Sequence, residues 1–153
     1  MLHTFIPSNI PINEQDIIAF EELIGVGLPQ EYREFIVQYN GGEFENAFYK
    51  GSEEYLVDPT FYYLTHNRYP DAPNWLSSVE KSMFDNEYLN EIIKPDCFLQ
   101  IGDDTIGNII LLSIGKINFG YMYIYTHDTS DIDIRLISHS FSDIINNMQE
   151  MED

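Results

Sequence analysis

The chain has 153 residues, enough for one domain (1–153) that buries roughly 70% of its unfolded surface. It is 44% hydrophobic and carries 11 Tyr and 10 Phe, which excludes a disordered acidic tail and requires a packed core. Twenty-six acidic against seven basic residues give a formal net charge of −19, a field that repels phosphate backbones and anionic lipid, so direct nucleic-acid and membrane-surface binding are excluded, and solubility or a basic protein partner remains.

Residues 1–13 contain Pro7 and Pro11 and read as an extended lead-in. They show no basic stretch followed by an apolar one, as a secretory leader would. No run in the chain approaches the ~18 apolar residues of a membrane helix, so a cytoplasmic location is expected. Asn13 reads as the N-cap of a first helix, with Glu14 and Asp16 in its favourable first turn. Ile17, Phe20 and Ile24 form its apolar stripe and Leu23 widens it. Gly25 and Gly27 end it. Pro29 suits the first position of a second helix, whose stripe is Tyr32, Phe35, Ile36 and Tyr39. Gly41 or Gly42 can take the left-handed cap that stops it.

The segment EFENAFYKG alternates weakly and reads as a strand. EYLVDPTFYYLTHNRYPDAPNW, broken by Pro59, Pro70 and Pro73, reads as a short strand or helical turn plus an exposed loop. A helix is expected over residues 76–93, closed by Lys94-Pro95. The last third alternates as sheet. CFLQIG and GNIILLS flank a turn at DDTI, FGYMYIYT sets Tyr121, Tyr123 and Tyr125 opposite Met122 and Ile124, and IDIRLI sets Ile132, Ile134 and Leu136 opposite Asp133 and Arg135. Ser140 caps a last helix with Phe141, Ile144, Ile145 and Met148 on its apolar side, and an acidic tail at about 149–153 is expected to fray. Helices apart from a run of short strands define an α+β domain: a mostly antiparallel sheet of about five or six strands with helices packed on one side.

Catalytic, metal and cofactor motifs are weak. His127-Asp128 lacks a neighbouring nucleophile, because adjacent strand residues face opposite ways. Asp128, Asp131 and Asp133 do not form a calcium loop of the EF-hand kind, since Leu136 and Ser142 stand where Gly and Glu are needed. His3, His66, His127 and His139 are too scattered for a metal site. Asp103-Asp104 is explained by a turn, and Trp75 by core or loop packing. Cys97 is the single cysteine, so no intrachain disulfide forms, and within CFLQI it is expected to pack as a small hydrophobe. No catalytic, cofactor-binding or metal-ligating set is therefore assigned.

Four segments, in order, resemble the SUKH superfamily, the Smi/Knr type named after fungal cell-wall regulators. They are FEELIGVGLPQEYREFIVQYNGGEF, FLQIGDDTIGNIILL, GYMYIYTHD and ISHSFSDIINNM. The resemblance assigns scaffold roles to Leu28, Pro29, Asn40, Gly41, Gly42, Gly102 and Gly107. It implies an α+β domain of the kind that serves in bacteria as an immunity protein: a non-enzymatic binder that neutralises the toxin domain of a polymorphic or contact-dependent system. Many such toxins are nucleases, whose basic grooves suit a strongly acidic partner. The expected contact face, chosen on charge and loop placement, is Glu43, Glu45, Glu53, Glu54 and Asp58 with Tyr55, Tyr62 and Tyr63 interleaved, bordered by Asp103 and Asp104. The alternatives are a regulatory scaffold of the fungal kind and a small hydrolase using His127.

Overall fold

The computed structural model describes residues 4–52, 55–64, 76–85, 93–94, 97–126 and 133–151. Helix α1 (Glu14–Ile24) starts on a reciprocal cap: the Asp16 amide donates to Asn13 Oδ1 at 3.0 Å, and the Asn13 amide donates to Asp16 Oδ2 at 3.0 Å. Ile17 and Phe20 are buried and Ile24 packs on the core edge, whereas Leu23 is exposed rather than part of the stripe. Helix α2 (Gln30–Tyr39) begins one residue after Pro29, whose carbonyl receives the Arg33 amide. The Leu28 amide donates to Glu21 of α1 at 2.6 Å, and Arg33 pairs with Glu14 and Glu21, so the two helices are tied at their junction.

The exit from α2 shows what Asn-Gly-Gly is for. Asn40 itself, not a glycine, takes the left-handed cap at φ 50°, and Gly41 (φ 87°) and Gly42 (φ 137°) follow with positive φ. Of the non-glycine residues, Asn tolerates this region best. A Cβ on Gly41 would lie 2.6 Å from the Tyr62 carbonyl oxygen, and one on Gly42 would lie 2.2 Å from that of Ile6. The buried Asn40 amide donates to the carbonyls of Ile10 (3.1 Å) and Leu64 (2.9 Å), and its Oδ1 receives the Leu64 amide (2.7 Å). One side chain thus joins the lead-in, the end of α2 and the chain after the central strands.

The strands are β1 (Phe5–Pro7), β2 (Gly42–Phe44), β3 (Ala47–Lys50), β4 (Leu56–Val57), β5 (Thr60–Phe61), β6 (Phe98–Asp103), β7 (Ile109–Ser113), β8 (Met122–Thr126), β9 (Asp133–Ser138) and β10 (Gln149–Glu150). Helix α3 (Val79–Asp85) packs against β6, and α4 (Phe141–Asn146) follows β9. The main sheet runs β1-β2-β5-β6-β7-β8-β9, all neighbours antiparallel, and β10-β3-β4 form a smaller one. The α+β class is as expected, with seven strands in the main sheet rather than five or six. The unforeseen strand is β1, three residues long and read only as extended lead-in; EFENAFYKG divides between β2 and β3, and β5 lies in the segment expected to hold a short strand or helical turn.

One sheet face meets α1, α2 and α4. Phe35 of α2 packs edge-on against Phe61 (5.5 Å) and Phe141 (5.0 Å), and Tyr32 against Phe141 (5.3 Å). Full burial of each such Phe ring is worth about 1.5–3 kcal/mol. Three expectations fail here. In β9, Ile134 and Leu136 pair with Tyr125 and Tyr123 on the face away from this core and are only half-buried. Ile137, next along the strand, faces inward by alternation and is buried, and a register shift there pairs Met122 with buried Ser138. The tail residues Gln149 and Glu150 pair with Phe48 and Ala47, and the Met151 amide donates to the Asn46 carbonyl, because buried Met148 holds the chain beside β3. Cys97 is exposed, on the turn before β6, where its carbonyl receives the Ile114 amide at 2.9 Å. No helix among the described residues is long and apolar enough to cross a membrane.

Candidate partner-binding surface

Cross-strand register lines up Ile6, Glu43, Thr60, Asp103, Ile109, Tyr125 and Ile134 in one row across the main sheet. Side chains alternate along each strand, so this row faces away from Phe44, Phe61, Ile110 and Ile124 in the core. Glu43 and Asp103, 60 residues apart in the chain, therefore share a face with only Thr60 between them.

Beside Asp103, in the middle of that row, the β6–β7 turn is braced from within. Asp104 is buried, and its Oδ1 receives the amides of Ile106 (3.1 Å) and Asn108 (2.8 Å). Its Oδ2 receives Asn108 Nδ2 at 3.1 Å. Asp58 receives both the amide and the hydroxyl of Thr105. The Tyr55 hydroxyl accepts from Asn108 Nδ2 at 2.9 Å, and the Arg135 guanidinium lies 5.8 Å from the Tyr55 ring centre. The Tyr62 hydroxyl donates to Asp103 at 3.1 Å. The turn is thus held by segments 47 residues away in sequence, and its tip, Ile106, is 67% exposed. Leu56, beside Tyr55, is 59% exposed.

The electrostatics follow from the crowding. Asp103 is held above the usual carboxylate range, first by burial and then by the charges of Asp104 and Asp58, against which the Tyr62 hydrogen bond works. Burial, reinforced by Asp103, pushes the Tyr62 phenol far up, so it stays a donor. Arg135 is bonded to Asp133 at 2.9 Å. Among the described residues no cation pairs with Asp58, Asp103 or Asp104.

Of the ten residues expected on the contact face, the fold gathers Tyr55, Asp58, Tyr62, Asp103 and Asp104, with Glu43 one strand beyond Thr60. Tyr62 is buried and serves through its hydroxyl. Tyr63 is buried with Ile10 and Leu76 and is not available to a partner. Glu45 is exposed in the turn after β2, outside the cluster. Glu53 and Glu54 lie outside the described residues, as do His127, Asp128, Asp131 and Trp75. Ile106 and Leu56 went unnoticed in the sequence; the available signal for Ile106 was an isoleucine at the tip of a turn otherwise made of Asp, Thr, Gly and Asn.

Elsewhere, Tyr49, Ser138, His139, Ser140 and Asp143 line a hollow of about 400 Å³. Its hydrogen bonds secure the start of α4. Asp143 receives the Tyr49 hydroxyl and lies 3.0 Å from Ser138 Oγ. The His139 ring stacks on Tyr121 at 4.7 Å and bonds to no serine hydroxyl among the described residues, so the group has no nucleophile–base contact. No cluster of three or more His, Cys, Asp or Glu among the described residues could hold a metal ion.

A helical pair joined to an antiparallel sheet by a left-handed Asn-Gly-Gly corner defines the class as an α+β domain. The chain belongs to the SMI1 / KNR4 family (SUKH-1), whose sequence model matches residues 11–147. A search among curated proteins gives no match.

Proposed function

We propose that this domain is an immunity protein that binds a basic toxin domain, a nuclease by preference, and blocks it stoichiometrically in the cytoplasm. The observation that carries this reading is the β6–β7 turn: three carboxylates, with no cationic partner among the described residues, lie about an exposed isoleucine whose turn is held by hydrogen bonds. That is the layout of an interface anchor with a charged surround. The carboxylates steer a basic partner into encounter, and Ile106 with Leu56 supplies desolvated contact once docked. The turn needs no rearrangement to bind, because Asp104, Asp58 and Asn108 already fix it. Family membership supports a binding role, and the net charge of −19 supports the sign of the partner.

The test is titration with the toxin domain encoded beside the gene. A 1:1 complex is expected, whose association slows as salt rises toward the ~8 Å Debye length of physiological buffer. Ile106→Ala is expected to weaken it about 5- to 30-fold, the effect of truncating a minor hot spot. Full affinity in Ile106→Ala and in the double variant Asp58→Asn/Asp103→Asn would remove the turn from the interface.

A further inference from the structure

We propose that the groove between α2 and α4 receives an arginine side chain of the partner protein, a second docking point apart from the β6–β7 turn. This inference rests on the reading of the chain as a binder of basic proteins. The groove holds about 240 Å³, lined by Glu31, Glu34, Phe35 and Tyr39 of α2 and by Phe141 and Ser142 of α4. Small-molecule sites run from about 300 to 1,000 Å³, so the space suits one inserted side chain better than a cofactor.

Its chemistry selects the side chain. The floor is aromatic: Phe35 and Phe141 lie 5.0 Å apart, and Tyr39 stands 5.6 Å from Phe35. The rim is acidic and already oriented. Glu31 crosses to α4, where its Oε2 receives the Ser142 amide at 3.1 Å, and Glu34 receives the Gln30 amide group at 3.0 Å. Neither carboxylate pairs with a cation among the described residues, since Arg33 on the same helix turns to Glu14 and Glu21. A planar guanidinium stacks on rings and bonds carboxylates through its fork, which an ammonium does not do. No groove residue belongs to the β6–β7 turn cluster, so the groove is a separate point on the surface.

The probe is N-acetyl-arginine-N-methylamide, titrated into isotopically labelled protein and followed by NMR, with the citrulline and lysine analogues as controls. Saturable shifts are expected at the Ser142 amide and the Phe35 and Phe141 rings, in the millimolar range proper to a single side chain. The uncharged citrulline analogue is expected to bind at least about 10-fold more weakly and the lysine analogue about 3-fold more weakly. Glu34→Gln, an exposed change that leaves the core alone, is expected to weaken the arginine probe about 3-fold or more. Absence of saturable shifts in the groove, equal binding of citrulline, an unchanged Glu34→Gln titration, or shifts confined to residues 104–108 each overturn the proposal. The probe involves no toxin, so these outcomes are separate from the toxin titration: a silent groove beside a tight toxin complex sinks only the groove.

Discussion

Replacing Asn40 by Ala tests the account of the scaffold most sharply. The change removes three buried hydrogen bonds and strands two carbonyls, of Ile10 and Leu64, and the Leu64 amide. Each unsatisfied buried group costs about 1–3 kcal/mol. Alanine at φ 50° adds about 1–2 kcal/mol of left-handed strain. Allowing for partial relaxation, the loss is about 4–6 kcal/mol, a large part of the ~5–15 kcal/mol available to a domain. At about 2–4 °C per kcal/mol for a chain of this size, the Tm falls by about 10–20 °C. Asn40→Gly separates the two causes: it loses the same three hydrogen bonds but lifts the backbone strain, so it lies about 1 kcal/mol above the Ala variant. Urea unfolding by circular dichroism and tryptophan fluorescence, with coincident transitions checked, measures both. A loss below about 1 kcal/mol in Asn40→Ala, or a Gly variant no more stable than the Ala one, would refute the reasoning.

The Tyr32 hydroxyl is fully buried and has no hydrogen-bond partner among the described residues, and burial holds its phenol far above the ordinary value. Tyr32→Phe is therefore expected to be neutral or to stabilise by up to about 1–2 kcal/mol in the same unfolding assay, and a loss above about 1 kcal/mol would reveal an unseen partner. Asp103 has its carboxyl raised, so its ionisation disfavours the folded state. Asp103→Asn, which keeps an acceptor for Tyr62, is expected to be the more stable protein at neutral pH, with the advantage shrinking as pH falls through the folded Asp103 value toward the ordinary carboxylate range. An advantage that grows on acidification contradicts the cause given. Deleting residues 149–153 is expected to lower the Tm by a few degrees and to speed hydrogen exchange at the β3 amides, because β10 pairs there; an unchanged Tm would restore the frayed tail.

Where a residue's role depends on its neighbours in sequence, the chain announced it. The caps Asn13 and Ser140 and the stripe Tyr32, Phe35 and Ile36 are local patterns, and all stand in the structure. The Asn-Gly-Gly corner was visible as a stop, but its reason was not: the Asn40 amide answers groups 24 and 30 residues away. β1 escaped notice because three residues carry no period, β5 showed only as a short strand or helical turn, and β9 alternates as expected although alternation alone does not say which of its faces meets the helices. The site was legible as charge and illegible as geometry. Composition selects carboxylates as a class, whereas only the sheet register brings Glu43 toward Asp103, and only a 47-residue crossing brings Asp58 to Thr105. Tyr63 was chosen for its loop-like surroundings, and long-range packing on Ile10 buried it.

The most direct measurement of the central claim is stopped-flow association of the protein with the proposed partner, a toxin domain encoded beside its gene, over a salt series, for the wild type and for Asp58→Asn/Asp103→Asn. The account predicts a 1:1 complex, an association rate that drops steeply as ionic strength rises, and a visibly shallower salt slope in the double variant. No complex at micromolar concentration, or a salt slope identical in the two proteins, would contradict it.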